Sequence, residues 1–90
     1  MGTINNDIKV KVDYDNGRDK NFIFNIGVDV DKVDSIEADI NKTVNVALRQ
    51  KIKEGEMDSQ NLRGIEIQSD DKRGFFSSFV GDIEGLLKSL

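Results

Sequence analysis

The alternation of apolar and polar residues predicts two strands at the start of the chain. The apolar positions of the first segment are Ile8, Val10, Val12 and Tyr14. Those of the second segment are Phe22, Phe24 and Ile26. A period of two residues is typical of a strand that buries one face and exposes the other.

The turn between these strands, Asp-Asn-Gly at 15–17, decides how they pair. A two-residue turn would place Val10 opposite Ile23 and turn most large residues of the second strand toward the polar face. A three-residue loop instead pairs Val10 with Phe22. It also places Gly17 at the left-handed position of a type I turn with a bulge. We therefore predict the three-residue loop.

A long helix is predicted to follow a capping-box pattern that begins at Asp34, with Val33 positioned for a hydrophobic staple. Its apolar residues recur at helical spacing: Ile36, Ile40, Val44, Ala47 and Leu48. Gly55 is expected to end this helix near Lys53. After a loop, residues 63–69 predict a short strand with its two isoleucines turned inward.

Residues 74–90 predict a C-terminal amphipathic helix. The apolar residues fall within an arc of roughly 140°: Phe75, Phe76, Phe79, Val80, Ile83, Leu86, Leu87 and Leu90. Gly81 and Gly85 each cost about 1 kcal/mol relative to Ala, so this helix needs an apolar surface to cover it. A second interpretation stays open, in which residues 75–80 form a fourth strand and a short helix follows Asp82.

These elements together predict one small α+β domain over residues 1–90, in the order ββαβα. The expected sheet has three strands, including the N-terminal hairpin, and both helices lie on one face of it. Residues 1–6 are expected to be frayed. Three narrow strands give little room for two helices, which raises the question of a homodimer.

The composition excludes most catalytic chemistry. The chain has no His and no Cys, so Ser-His and Cys-His nucleophiles and thiolate metal sites are ruled out. The acidic residues fall on predicted solvent faces, turns or caps, and the acidic segments miss the EF-hand pattern. We therefore predict a protein that is not an enzyme and that has neither a cofactor nor a metal site.

The chain shows no membrane-spanning or secretory pattern. Its longest apolar runs are short, and its first residues lack a basic region and an apolar run. We therefore expect a cytoplasmic protein that does not bind a membrane.

The net charge of −4 has a single origin. Residues 29–39 contain five acids against Lys32: Asp29, Asp31, Asp34, Glu37 and Asp39. Of 17 acids and 13 bases in all, twelve of each sign remain elsewhere. Two interpretations stay open: the acids complement the positive end of the helix dipole, or they bind a basic partner, as a mimic of DNA phosphates would. A metal site is the least supported interpretation.

The leading hypothesis is a small, acidic, non-enzymatic protein-binding module, an adaptor or inhibitor comparable in size and charge to those of phages and other mobile elements. The predicted contacts with a basic protein partner are Asp31, Asp34, Glu37, Asp39, Phe75, Phe76 and Phe79. The competing hypothesis is a self-assembling, homo-oligomeric subunit with the C-terminal helix at its interface. Direct binding of nucleic acid through Lys9, Lys11 and Lys20 is not expected, because neighbouring acids dilute that face.

Overall fold

The computed structural model describes residues 3–29, 31, 36–69 and 78–88. Its elements are β1 (Thr3–Tyr14), β2 (Asp19–Asp29), α1 (Ile36–Lys53), β3 (Leu62–Ser69), β4 (Phe79–Val80) and α2 (Ile83–Lys88). The strands form one antiparallel sheet in the order β2-β1-β3-β4. The small α+β class is confirmed, but the sheet has four strands, and the prediction of three was wrong.

The N-terminal hairpin has the predicted register. Val10 lies opposite Phe22. The Tyr14 N–H donates to the Arg18 carbonyl at 3.0 Å, and the Gly17 N–H donates to the Tyr14 carbonyl at 3.0 Å. Gly17 has a φ of 81°, the left-handed conformation that the bulge requires. The three-residue loop is therefore confirmed.

The start of β1 differs from the sequence-based expectation. Residues 3–6 are paired rather than frayed: β1 begins at Thr3, which lies opposite Asp29. Asn6 is 1% exposed. The reason is the length of β2, whose last residues provide a pairing partner for backbone that would otherwise have none.

Helix α1 ends as predicted, in a Schellman motif around Gly55. This glycine has a φ of 78°. Its N–H donates to the Ile52 carbonyl at 3.1 Å, and the Glu56 N–H donates to the Lys51 carbonyl at 3.0 Å. The predicted capping box at Asp34 and staple at Val33 lie outside the described residues.

The helix predicted over residues 74–90 is wrong in its middle part. Phe79 and Val80 form β4, with Phe79 opposite Ile67, and the Gly81 N–H donates to the Ile65 carbonyl at 2.7 Å. Extended backbone here satisfies the edge of β3, which a helix would leave unpaired. The second interpretation was closer, although within residues 78–80 the strand is only two residues long.

The short helix α2 begins after Asp82. The Gly85 N–H donates to Asp82 Oδ1 at 3.0 Å, the geometry of an N-cap. Residues 74–77, including Phe75 and Phe76, and residues 89–90 lie outside the described part of the chain.

One face of the sheet carries the core. Both helices contribute to a single cluster with the sheet: Ile8, Val10, Val12, Ile26, Val28, Ile36, Ile40, Val44, Leu48, Met57, Ile65, Ile67 and Leu86. Helix α1 packs mainly over β2, and α2 packs against α1 and β3. The other face of the sheet is polar apart from two exposed residues, Ile23 and Val80, which are 60% and 80% exposed.

Candidate functional site

The end of β2 and the beginning of α1 bring acidic residues to one end of the molecule. Glu37 and Asp39 lie in the first turn of α1, and both are exposed. Asp31 is exposed in the turn after β2, and its N–H donates to Asp29 Oδ1 at 3.0 Å. Asp34 lies outside the described residues. The structure thus describes four of the five acids that account for the net charge.

A small groove opens at this acidic end, between α1 and the last residues of β2. Its volume is about 100 Å³. The lining residues are Ile26, Gly27, Val28, Asp29, Ile36, Asp39, Ile40 and Thr43. The four large aliphatic residues among them are buried, whereas Asp39 is exposed. Pockets for small-molecule ligands are typically ~300–1,000 Å³, so this groove suits the end of one side chain.

Two of these acids also have a structural role. Glu37 and Asp39 lie where the α1 dipole presents its positive end. Carboxylates in a first turn stabilise a helix by roughly 0.3–1 kcal/mol each. Their presence is therefore explained in part without any partner, and a binding experiment has to separate the two roles.

The aromatic residues predicted to contact a partner fall into two groups. Phe79 is half-buried and packs against the core of its own chain. Phe75 and Phe76 lie outside the described residues. Helix α2 uses its apolar side chains in the same way, because Leu86 is fully buried and Ile83 packs against the core. Only Leu87, 37% exposed, remains as an exposed large apolar residue of α2.

Two asparagines of α1 hold the start of α2, a feature that the sequence reasoning missed. The Asp82 N–H donates to Asn41 Oδ1 at 3.1 Å, and Asn45 Nδ2 donates to the Asp82 carbonyl at 3.4 Å. Asn45 is 6% exposed. The signal available in the sequence was the spacing of these asparagines, one helical turn apart beside the apolar stripe of α1.

The opposite end of the molecule, around the hairpin loop, consists of charged groups that bind one another. Lys51 Nζ lies 2.9 Å from Glu56 Oε2. This hydrogen bond raises the pKa of Lys51 and lowers the pKa of Glu56. The ammonium groups of Lys20 and Lys51 lie 5.6 and 5.8 Å from the Phe22 ring centroid. We interpret this cluster as structural, because it fixes the end of α1 against the hairpin.

The solvent-facing side of the sheet carries charges of both signs. Asp13 lies opposite Asp19, and Lys11 Nζ is 4.0 Å from the first carboxylate and 3.6 Å from the second. The pKa of Asp13 is raised, mainly because its protonated carboxyl can hydrogen-bond to Asp19. Such alternating charge differs from the basic surface that binds nucleic acid.

Within the described ranges, no three acidic side chains are grouped closely enough to hold a metal ion. In the same part of the chain, neither helix combines the length and the apolar composition that a membrane span requires. Comparisons with protein-family models, with curated proteins and with solved structures find no match to the chain. The function is therefore argued from the geometry alone.

Proposed function

We propose that the protein is a small, non-enzymatic binding module that docks a basic surface of a partner protein against its acidic end. The observation that carries this proposal is the groove between α1 and β2, which has a buried aliphatic lining and carboxylates beside it. A Lys or Arg side chain matches both features, since its stem is apolar and its end is cationic.

The proposal includes an inhibitory form in which the acids imitate DNA phosphates. Asp31, Asp34, Glu37 and Asp39 would then occupy a basic cleft of a nucleic-acid-binding protein. Charge complementarity of this kind mainly accelerates association and fixes orientation. The proposal requires no direct contact between this chain and nucleic acid.

The test compares two neutralised variants that carry the same change in charge. The first is Glu37→Gln with Asp39→Asn, at the acidic end. The matched control is Asp15→Asn with Glu84→Gln, two exposed acids away from the groove. Proteins captured from the host lysate by the wild type are quantified against both variants. Removing the two acids should weaken capture by up to roughly 30-fold, since each of the two exposed charge pairs contributes up to about 1 kcal/mol, whereas the control should capture as the wild type does.

Salt provides the second measurement. Between about 50 and about 500 mM salt the Debye length falls from roughly 14 to roughly 4 Å, so a contact between exposed charges should weaken strongly. Circular dichroism of both variants shows whether loss of the helix-dipole interaction has changed the fold. Capture that survives high salt and is equal for the two variants would contradict the proposal.

A second candidate function, a self-assembling subunit, is supported by a different part of the molecule. The apolar residues of α2 are largely used within the chain's own core, which leaves little for an interface at that helix. The free edge of β2 is the better candidate.

A further inference from the structure

Strand β2 lies at one end of the sheet. Its 11 residues pair with β1 on one side, and among the described residues no strand pairs with its other side. Tyr14 and Arg18 form a hydrogen-bonded pair at the hairpin. Hydrogen-bonded and non-hydrogen-bonded pairs alternate along an antiparallel ladder, so the even-numbered residues of β2 bond to β1. The odd-numbered residues of β2 therefore direct their N–H and C=O groups toward the free edge: Asp19, Asn21, Ile23, Asn25, Gly27 and Asp29.

The central part of this edge lacks the features that normally prevent strands from pairing between molecules. Residues 21–28, Asn-Phe-Ile-Phe-Asn-Ile-Gly-Val, include no charge and no proline. The register with β1 is continuous along the whole strand, so no bulge bends the edge away. Ile23, at the middle of the strand, is 60% exposed. A long edge whose central part has no bulge and no charge is a template for another strand.

We propose that a second copy of the chain pairs with this edge, β2 antiparallel to β2 about a two-fold axis at Ile23. Each Ile23 then faces the Ile23 of the second copy, Asn21 faces Asn25, and Phe22 faces Phe24. Apolar residues meet on both faces of the joined sheet, which has eight strands. An isologous contact of this type closes on itself and stops at the dimer.

Charge and apolar pairing favour this register over axes placed further along the strand. An axis at Phe24 would place Asp19 directly opposite Asp29 at both ends, and facing like charges destabilise a strand pair. An axis at Asn25 would place Ile23 opposite Gly27 and leave the exposed isoleucine unpaired. Only the axis at Ile23 combines a nine-residue ladder, Asp19 to Gly27, with apolar pairing at its centre.

The same register places basic residues beside the acidic groove. Lys20 of the second copy faces Ile26, and Arg18, one residue beyond the ladder, comes next to Val28. Ile26 and Val28 line the groove, where Asp39 also lies. This contact rests on the proposed function of the groove, whereas the pairing of the two strands does not.

The experiment measures the mass of the full-length protein in solution by sedimentation equilibrium over a concentration series. The wild type should approach twice its monomer mass of 10.1 kDa. Ile23→Lys places two ammonium groups face to face at the axis and should return the protein to a monomer. Val80→Lys makes the same apolar-to-lysine change on the same face of the sheet, at the β4 side, and should leave the dimer intact.

The position of the axis has its own test. A mixture of Ile23→Lys and Ile23→Glu should form a heterodimer although each variant alone is monomeric, because residue 23 faces residue 23. A second disrupting variant, Ile23→Pro, removes an N–H that points to the free edge and leaves the β1 ladder intact. Circular dichroism confirms that each variant is folded.

A wild type that stays at the monomer mass overturns the inference, as does a dimer that Ile23→Lys leaves unchanged. Failure of the mixed variants to associate overturns the register. The mass is measured without any partner present, so a failed dimer and a failed acidic docking surface are distinguished.

Discussion

Asn6 places a polar side chain within the apolar core. Its side chain is 1% exposed on the inner face of β1, opposite Ile26. Oδ1 accepts a hydrogen bond from Ser69 Oγ at 3.4 Å, but Nδ2 has no partner among the described residues. A buried donor without a partner costs about 1–3 kcal/mol, so replacing Asn6 by Val should stabilise the fold.

The size of the effect follows from two opposing contributions. The substitution removes the penalty of the unpaired Nδ2 group and adds a residue that favours strands. It also removes the long bond from Ser69, at the weak end of about 0.5–1.5 kcal/mol. The net gain should be about 1 kcal/mol, which in a domain of this size raises Tm by roughly 4–8 °C.

The assay is thermal and urea unfolding of Asn6→Val beside a matched control. Asn5→Val makes the same change at the neighbouring exposed position, so it reports the strand propensity alone. The m-value should stay constant, which would show that the compactness of the unfolded chain is unchanged. Ser69→Ala isolates the contribution of the hydroxyl. If the Tm of Asn6→Val is lower than that of the wild type while the Tm of Asn5→Val is not, the reasoning is refuted. The Nδ2 group of Asn6 would then have a hydrogen-bond partner in solution.

Four further substitutions at three positions test the fold, and a fifth substitution tests its pH dependence, all by thermal or denaturant unfolding. Leu48→Ala at a fully buried position should lower the free energy of unfolding by about 2–5 kcal/mol. Gly55→Ala should destabilise by about 1 kcal/mol, because Gly55 has a φ of 78°, and Gly55→Asn should cost less. Asp82→Ala removes the N-cap of α2 and should cost about 0.5–2 kcal/mol. Asp19→Asn should raise Tm near neutral pH and not at low pH, where Asp13 is protonated: a carboxyl pKa that is raised by folding contributes stability that is lost as the pH rises through it.

The parts of the fold that were predictable are those governed by local repeats. In the hairpin, successive side chains point to opposite faces of the sheet. A register shift of one residue would therefore have turned Phe22 and Phe24 toward solvent, and only the three-residue loop avoids that shift. In α1, a regular apolar stripe and Gly55 marked the body and the end of the helix. The buried positions of Ile65 and Ile67 in β3 followed from the same alternation.

The C-terminal part was not predictable in the same way, because tertiary contacts override its periodicity. Apolar residues at helical spacing from Phe75 to Leu90 favoured one continuous helix. The backbone at Phe79 and Val80 instead pairs with β3, a contact between segments that no local pattern encodes. Asp82 was the readable signal, since an N-cap residue marks where a helix begins.

The candidate surfaces were predictable only in part, for a related reason. The acidic run at residues 29–39 is continuous in sequence, so its charge was evident before the structure. The groove beside it combines Ile26 of β2 with Ile40 of α1, and that combination depends on how the helix lies on the sheet. The free edge of β2 depends on strand order, which alternation along a single strand does not determine.

The two proposed surfaces, the free edge of β2 and the acidic end of the molecule, share the groove between α1 and β2. In the dimer, Arg18 and Lys20 of the second copy lie beside the groove that would receive a basic side chain of a foreign partner. Pairing of β2 and docking of that partner would therefore compete at Ile26 and Val28, although Glu37 and Asp39 could still attract the partner from a distance. The dimer would then be the storage form and the monomer the form that binds, with the apparent affinity reduced by the fraction of chains that are paired.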